Sequence, residues 1–460
     1  MARAERDICY LPFRGRGDAF WRSWVGGIVL RPWYDKIALP TLARFYFPLS
    51  RAWAEALDEE ASPRPRGQGG LVGKKTDNGL NGAIHAARAK WSHYQRIAHD
   101  WEETIFSEEP ASSQELKKIQ KRRKRAAFTM MNARSGFISA HVRESFPAVK
   151  NEIESYDAVR KRHGSRLEGA VPAFEMPDEP PPLKLSQSVE GKYLRKSWLK
   201  GPSPMGDTMW ARLSIPKERE KPVGTLILSH GVGMEDEFWG SRIPKLVGAQ
   251  GMRALSPEGP WHGRRRIDGF YGGEPLFARG AGGLLDYLHA HVRELGIYTR
   301  WVRENIGGPV AVGGVSLGAL SAQVVVTAAR DWPEIYRPDV FFLVTPSPSI
   351  KAVAFEGRLT RSLGLTEAVL AHGWTPDNLD HWAPLMEPLG HPSVDPERLI
   401  FIVGNADDIT PAHAAKIFID RWRLPEFNRF IRPQGHFTTA LGIMRDPAPL
   451  GRLADIMAGL

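Results

Sequence analysis

Short, continuous apolar runs recur through the second half of the chain. Gly224–Ser229, Val310–Val312 and Leu399–Val403 have the length and composition of strands that are buried on both faces of a sheet. Arg253–Ser256 is a further strand candidate, and Phe427–Arg432 alternates enough to predict an edge strand. Strands buried on both faces predict an α/β fold, with a mostly parallel sheet and helices on both of its faces.

The first part of the chain has a helical period instead. Apolar residues recur at alternating spacings of three and four, which is the stripe of an amphipathic helix, at Ile84, Ala87, Trp91, Tyr94, Ala98, Trp101 and Ile105. The stretch from Ser112 to Glu144 carries a second helical pattern, rich in Ala and Met. We predict a mainly helical N-terminal region whose stripe packs on a neighbouring helix. A membrane-facing or ligand-facing surface is the alternative.

Two irregular stretches divide the chain. Ala61–Gly82, with its Pro, Gly and Asn, predicts a mobile loop, and the proline-rich Met176–Pro182 predicts a stiff linker. We therefore expect a helical region over residues 1–180 and a second domain over residues 181–460. An insertion at about 346–396 has helical spacing and predicts a cap over the functional site, although ordinary connecting helices would have the same pattern.

A serine lies between two glycines directly after one of the predicted strands. Gly314–Gly318 follows the apolar run at Val310 and precedes a helical pattern, which is the strand, sharp turn and helix order of a nucleophile elbow. The glycines leave room where the strand and helix backbones approach each other. Ser316 is thus a candidate nucleophile, and an ordinary glycine-rich turn is the alternative.

An acid and a histidine follow Ser316 in the order that such an elbow requires. Asp407 comes after the strand at Leu399–Val403, and His436 lies on the loop after the predicted edge strand. Taken alone, Asp407 could be a turn or helix-cap aspartate, and His436 a histidine on a surface loop. Their order after Ser316 favours a Ser-Asp-His triad.

From about Leu183 onward, the chain resembles the α/β-hydrolase superfamily. The matching motifs are Gly314–Gly318, Gly404–Asp407 and Gly435–His436, and His230–Gly233 is similar to the oxyanion loop of that family. The resemblance implies that the backbone N–H groups of Val232 and Leu317 stabilise an oxyanion. It favours Asp407 as the triad acid, with the adjacent Asp408 as the alternative.

These residue types fit acyl transfer. His436 would accept the proton of Ser316, Asp407 would orient and stabilise the imidazole, and water would clear the acyl-enzyme. We expect a serine ester hydrolase that acts on a small-molecule or lipid ester. The alternatives are an amidase or peptidase on the same triad, and a catalytically silent fold used for binding. No cofactor is expected, and no metal site, because the 14 histidines are scattered and no His-Glu-x-x-His or Cys-x-x-Cys motif occurs.

A second group of candidates surrounds the expected site. We expect His230 and Gly231, together with Trp261 and Arg264 on the loop after Arg253–Ser256, to contact substrate. The arginines of that loop could instead pair with acids such as Glu235, Asp236 and Glu237. His262 is a rival base, but it would break the triad order. The loop also resembles the branch of the superfamily that includes acyl hydrolases acting on phospholipids.

Composition and charge bear on the number of domains, the location and the partners of the protein. The chain has 460 residues, one cysteine (Cys9) and a net charge of +10, with a pI near 9.6. This favours more than one domain, a cytoplasmic location and an acidic contact such as the inner face of an anionic membrane. The basic run at 117–125 could dock there or be a solvated helix face. The N-terminal aromatics, which lie among arginines, could settle at a membrane or against the core. Nucleic acid is not expected, and the oligomeric state is left open.

Overall fold

The computed structural model describes residues 20–21, 23–58, 78–218, 221–234 and 242–460. Some sequence predictions concern residues outside these ranges. They are Cys9, three of the arginines that lie among the N-terminal aromatics (Arg14, Arg16 and Arg22), the acids Glu235, Asp236 and Glu237, and residues 61–77 of the predicted loop. The structure does describe the end of that loop, and there the loop prediction is wrong. Residues 78–82 are helical, because buried Leu80 extends the apolar stripe of the helix that follows.

The N-terminal part of the chain is helical, as predicted. Its helices are α1 (Trp24–Val29), α2 (Pro32–Thr41), α3 (Phe47–Leu57), α4 (Asn78–Phe106), α5 (Ser113–Asn132), α6 (Ile138–Arg143) and α7 (Tyr156–Leu167). A π-helical turn, Leu42–Tyr46, joins α2 to α3.

Helix α4 buries the predicted stripe. Ala87, Trp101 and Ile105 have no exposed surface. The Trp101 ring lies edge-on to Trp198, with 5.0 Å between ring centroids, and Trp198 belongs to a strand of the sheet. The stripe therefore packs on the rest of the protein rather than facing solvent.

In the described part of the chain, ten strands form one mixed sheet. They are β1 (Lys184–Leu185), β2 (Val189–Glu190), β3 (Leu194–Pro202), β4 (Thr208–Pro216), β5 (Thr225–Ser229), β6 (Arg253–Glu258), β7 (Val310–Val315), β8 (Val340–Val344), β9 (Leu399–Gly404) and β10 (Arg429–Arg432). Their order is β1-β3-β4-β6-β5-β7-β8-β9-β10, with β2 paired to β3. The pairs from β6 through β5, β7, β8 and β9 to β10 are parallel, whereas the earlier pairs are antiparallel.

The remaining helices cover both faces of this sheet or lie in the segment between β8 and β9. They are α8 (Ile243–Ala249), α9 (Glu274–Ala278), α10 (Ala281–Asn305), α11 (Leu317–Ala328), α12 (Arg358–Ser362), α13 (Leu365–Ala371), α14 (Pro376–His381), α15 (Ala383–Met386), α16 (Ala412–Arg421), α17 (His436–Gly442) and α18 (Ala448–Ala458). Successive strand residues join different cores: Phe342 packs in the cluster of α8 and α18, and Leu343 in the cluster of α10 and α11. This is why β7, β8 and β9 carry no polar side chain.

The segment between β8 and β9 contains α12 to α15 and confirms the predicted helical cap. The division at residue 180 stays a prediction. The helices before it and the sheet domain after it share a buried ion pair, in which Arg51 Nη1 lies 2.8 Å from Glu274 Oε2. Within the described ranges, no helix combines the length and apolarity needed to cross a membrane.

Candidate active site

Ser316 lies at a strained turn between β7 and α11. Its φ of 56° and ψ of −118° are unfavourable for a residue with a side chain. The two flanking glycines are sterically required: a Cβ on Gly314 would collide with the backbone of Gly318, and a Cβ on Gly318 with the backbone of Ser229. The turn holds the Ser316 hydroxyl at the carboxyl edge of the parallel strands.

A hydrogen-bonded chain of three side chains converges on this turn. Nε2 of His436 lies 2.9 Å from Oγ of Ser316, and Nδ1 of His436 lies 2.8 Å from Oδ2 of Asp407. His436 follows β10 and opens α17, and Asp407 follows β9. The tertiary structure thus brings together the three residues that the sequence analysis singled out.

The backbone around Asp407 fixes its carboxylate. Oδ1 accepts hydrogen bonds from the N–H groups of Ile409 and Thr410, at 3.0 and 2.9 Å. Oδ2 accepts a bond of 2.8 Å from the hydroxyl of Thr410. The neighbouring Asp408 turns away and pairs with Arg358 at 3.3 Å. Between the two adjacent acids, only Asp407 reaches His436.

The surroundings of His436 favour its protonated form. Burial lowers the pKa of His436, but the charge of Asp407 and the hydrogen bond to it act against burial. Asp35 and Asp408 add smaller contributions in the same direction. The net pKa is raised above the ordinary value of 6.5. An imidazole in this position can receive a proton from Ser316 and hold it beside a carboxylate.

The predicted oxyanion donors lie beside Ser316. Val232 and Leu317 line the same cavity as the serine. Leu317 is the first residue of α11, where backbone N–H groups have no acceptor within the helix. A Cβ on Gly231 would stand 3.4 Å from Cβ of Ser316, so the loop passes very close to the nucleophile.

His230 and His262 form hydrogen bonds with backbone N–H groups in and beside that loop. The N–H of Gly259 donates to Nε2 of His230 at 3.0 Å, and the N–H of Gly233 donates to Nε2 of His262 at 3.3 Å. Burial lowers the pKa of His230 to about 4 and places the pKa of His262 well below its ordinary value. Both rings therefore stay neutral and serve as hydrogen-bond partners of the backbone. His262 bonds to the backbone through both ring nitrogens, and His436 is the histidine that contacts Ser316.

Trp261 and Arg264 do not line the cavity at Ser316. Trp261 is buried and packs against Tyr287, with 6.4 Å between ring centroids. Arg264 pairs with Glu258, and its guanidinium lies 4.8 Å from the ring of Trp210. The expected contact of Arg264 with substrate is thus replaced by an internal ion pair, because Glu258 ends the strand that precedes the arginine loop.

The structure adds a residue that sequence reasoning missed. Asp35 in α2 is buried, and its carboxylate accepts hydrogen bonds of 2.6 Å from the N–H of Phe437 and from the hydroxyl of Thr438. It therefore caps the helix that begins at His436. Tyr46 makes a similar connection, since its hydroxyl donates to the carbonyl of Gly233 at 2.8 Å. No local pattern in the sequence marks either residue.

A cavity of about 160 Å³ opens beside Ser316. Its walls come from the segment between β8 and β9, from α9, α10, α11 and from the loops that follow β5, α9 and β9. The lining residues besides Ser316 are Val232, Leu276, Phe277, Gly280, Ala281, Leu284, Leu317, Leu320, Ile350, Val353, Ala354, Phe355, Leu359, Thr360, Leu365, Val369, Trp374, Leu379, Ile409 and Thr410. Within the described ranges, no three His, Cys, Asp or Glu side chains are grouped so that they could hold a metal ion.

No family model and no curated protein matches this chain. Among solved structures, it is similar to acetyl xylan esterase 1 from Thermoanaerobacterium sp. JW/SL YS485, with a TM-score of 0.43, 15% identity, and coverage of 65% of this chain and 95% of that one. It is also similar to an acetyl xylan esterase from Paenibacillus sp. R4, with a TM-score of 0.42, 15% identity and coverage of 65% and 93%. A third similar structure is brefeldin A esterase, a bacterial homologue of human hormone sensitive lipase, with a TM-score of 0.41, 16% identity and coverage of 68% and 87%.

The fold is identified from the chain's own strands and turns. The antiparallel pair β3 and β4 leads into a parallel sheet, the elbow serine lies between β7 and α11, and the acid and the histidine follow β9 and β10. The chain therefore has the α/β-hydrolase fold.

Proposed function

We propose that the protein is a serine hydrolase that cleaves carboxylic esters. The observation that carries this proposal is the chain of hydrogen bonds from Ser316 through His436 to Asp407, at 2.9 and 2.8 Å. A serine hydroxyl is a weak nucleophile near neutral pH, and a neighbouring imidazole oriented by a carboxylate activates it.

The proposed reaction has two steps. Oγ of Ser316 bonds to the ester carbonyl carbon while its proton passes to Nε2 of His436, and the N–H groups of Val232 and Leu317 stabilise the oxyanion. The carbon–oxygen bond to the alcohol then breaks, and His436 returns the proton to the leaving alkoxide. Water, deprotonated by His436, releases the acid from the acyl-enzyme and restores Ser316.

The test is labelling with a fluorophosphonate probe, combined with hydrolysis of p-nitrophenyl esters. Ser316→Ala should abolish labelling and lower the hydrolysis rate by about 10⁴- to 10⁶-fold. Ser321→Ala is the matched control, because Ser321 lies one turn along α11 with its hydroxyl directed at the carbonyl of Leu317. It should keep the label.

Two alternatives have distinct outcomes in this test. A folded wild-type protein that neither labels nor hydrolyses any ester would support a silent binding fold. Faster turnover of amides than of matched esters would replace the proposal with an amidase or peptidase on the same three residues.

We also propose that the helix pair α1 and α2 contacts an anionic membrane. Its apolar side chains are unusually exposed, with Trp24 at 75%, Ile37 at 60% and Ile28 at 47% of their full surface. Arg31 and Lys36 are exposed beside them. Indole rings and cations together suit the headgroup region of a bilayer.

Sedimentation with phosphatidylserine vesicles tests this contact. The double variant Trp24→Ser with Ile37→Ser should lose binding. Phe128→Ser removes an aromatic ring that is 65% exposed on the basic helix α5, and it should retain binding. Equal binding by the double variant and the wild-type protein would exclude this surface as the contact.

A further inference from the structure

The cavity beside Ser316 has almost entirely apolar walls. Besides Ser316, the hydroxyl-bearing residues that line it are Thr360 and Thr410. Both hydroxyls are already used: Thr360 donates to the carbonyls of Val353 and Gly357 at 2.7 Å, and Thr410 to the carboxylate of Asp407 at 2.8 Å. Among the residues that the structure describes, no charged side chain lines the cavity. Away from Ser316 and the two proposed oxyanion donors, the described walls therefore offer a bound group mainly dispersion contacts.

Such walls select against polar and charged groups. A hydroxyl or carboxylate placed in the cavity would lose its water without gaining a hydrogen bond, which is a large cost. Sugar acids, amino acids and dicarboxylic half-esters are poor candidates for the part of the substrate that enters here. A saturated hydrocarbon chain has no polar group to desolvate, and the hydrophobic effect favours its transfer from water into the cavity.

The volume sets the length of that chain. A cavity of about 150 Å³ with aliphatic and aromatic walls holds one benzene molecule, a group of six carbons. The cavity here, at about 160 Å³, has the same capacity. It is too small for the whole of a long fatty acyl chain.

The acyl part of the ester is the better occupant. The acyl group stays bonded to Ser316 until water arrives, whereas the alcohol has to leave after the first step. A space covered by the cap segment suits the retained half, and the released half needs an open path.

We propose that the cavity receives the acyl group of the substrate, an uncharged aliphatic chain of roughly four to eight carbons. The proposal rests on the proposed ester hydrolysis at Ser316. Each methylene that enters the cavity should raise kcat/KM by about fourfold, the equivalent of about 0.8 kcal/mol, until the space is full. Activity should therefore rise from acetyl to hexanoyl esters and fall again at dodecanoyl.

Cap helix α13 offers a matched pair of variants. Val369 lines the cavity, whereas its neighbour Leu370 is 45% exposed. Val369→Phe should move the optimum to shorter chains and lower the ratio of hexanoyl to acetyl kcat/KM by at least tenfold. Leu370→Phe adds an aromatic ring of the same size to the same helix, and it should leave that ratio at the wild-type value.

The experiment measures kcat/KM for p-nitrophenyl esters from two to twelve carbons, together with alkyl acetates of the same lengths. A flat or acetyl-centred profile that still depends on Ser316 would overturn the acyl proposal and leave ester hydrolysis intact. So would a length preference confined to the alcohol side. If the folded wild-type protein neither hydrolyses any of these esters nor reacts with the fluorophosphonate probe, the proposed function itself is overturned.

Discussion

The carboxylate of Asp35 accepts a hydrogen bond of 2.6 Å from the hydroxyl of Thr438, across 403 residues of chain. It also accepts a bond of 2.6 Å from the N–H of Phe437. These two donors belong to the first turn of α17, whose first residue is His436. A helix of the N-terminal region is thus part of the support of the imidazole beside Ser316.

We expect Asp35→Ala to lower kcat/KM by about tenfold or more, because a partly buried N–H and a buried hydroxyl lose their acceptor at a cost of up to about 1–3 kcal/mol each. The charge of Asp35 also raises the pKa of His436, so its removal should shift the acid limb of the pH profile to lower pH. Lys36→Ala, at an exposed position on the same helix, is the control. An unchanged pH profile would mean that Asp35 has only a structural role.

The rate should rise with pH through the pKa of His436, because only neutral imidazole accepts the serine proton. That pKa is raised, so the midpoint for kcat/KM is expected above 6.5. Asp407→Asn removes the charge that opposes the effect of burial. The midpoint should then fall, and kcat should drop by about 10⁴-fold. Asp408→Asn should keep most of the activity, and the reverse ranking of the two variants would reassign the acid.

Val232→Pro removes one proposed oxyanion donor, since proline has no backbone N–H. We expect kcat to fall by about 10²- to 10³-fold with little change in KM. Val232→Ala retains the N–H and should stay close to wild type in kcat. Circular dichroism of the proline variant checks that the fold persists. Equal kcat values for the two variants would count against Val232 as a donor.

Arg51→Ala should destabilise the whole protein. It would leave the buried carboxylate of Glu274 without its cation, at a cost of about 3–5 kcal/mol in the free energy of unfolding. Arg125→Ala, at an exposed position, is the control. Urea denaturation followed by tryptophan fluorescence measures both. If Arg51→Ala shifts only a first unfolding transition to lower urea, and a second transition stays at its wild-type midpoint, the N-terminal helices fold as a separate domain.

The sequence was most informative where structure depends on neighbouring residues. The apolar run at Leu399–Val403 predicts β9 because a strand buried on both faces must be apolar at each position. The elbow at Ser316 is predictable in part because Gly314 avoids a clash with the backbone of Gly318, a few residues further along the chain. The α4 stripe is predictable for the same reason, since its period is local.

Other features depended on contacts between distant segments. Asp407 and Asp408 have nearly the same local sequence, and the path of the backbone after β9 decides which of them meets His436. Arg264 is a case at shorter range: Glu258 lies only six residues before it, but the sequence does not show that the turn between them brings the two side chains together.

The buried strands at Thr225–Ser229, Val310–Val315 and Leu399–Gly404, the elbow, and the order of Ser316, Asp407 and His436 follow from local pattern and chain order, because strand burial and turn geometry constrain adjacent residues. The support from Asp35, the neutral state of His262 and the size of the cavity come from tertiary structure alone. Burial, charge and volume at those points are set by side chains that lie tens to hundreds of residues apart.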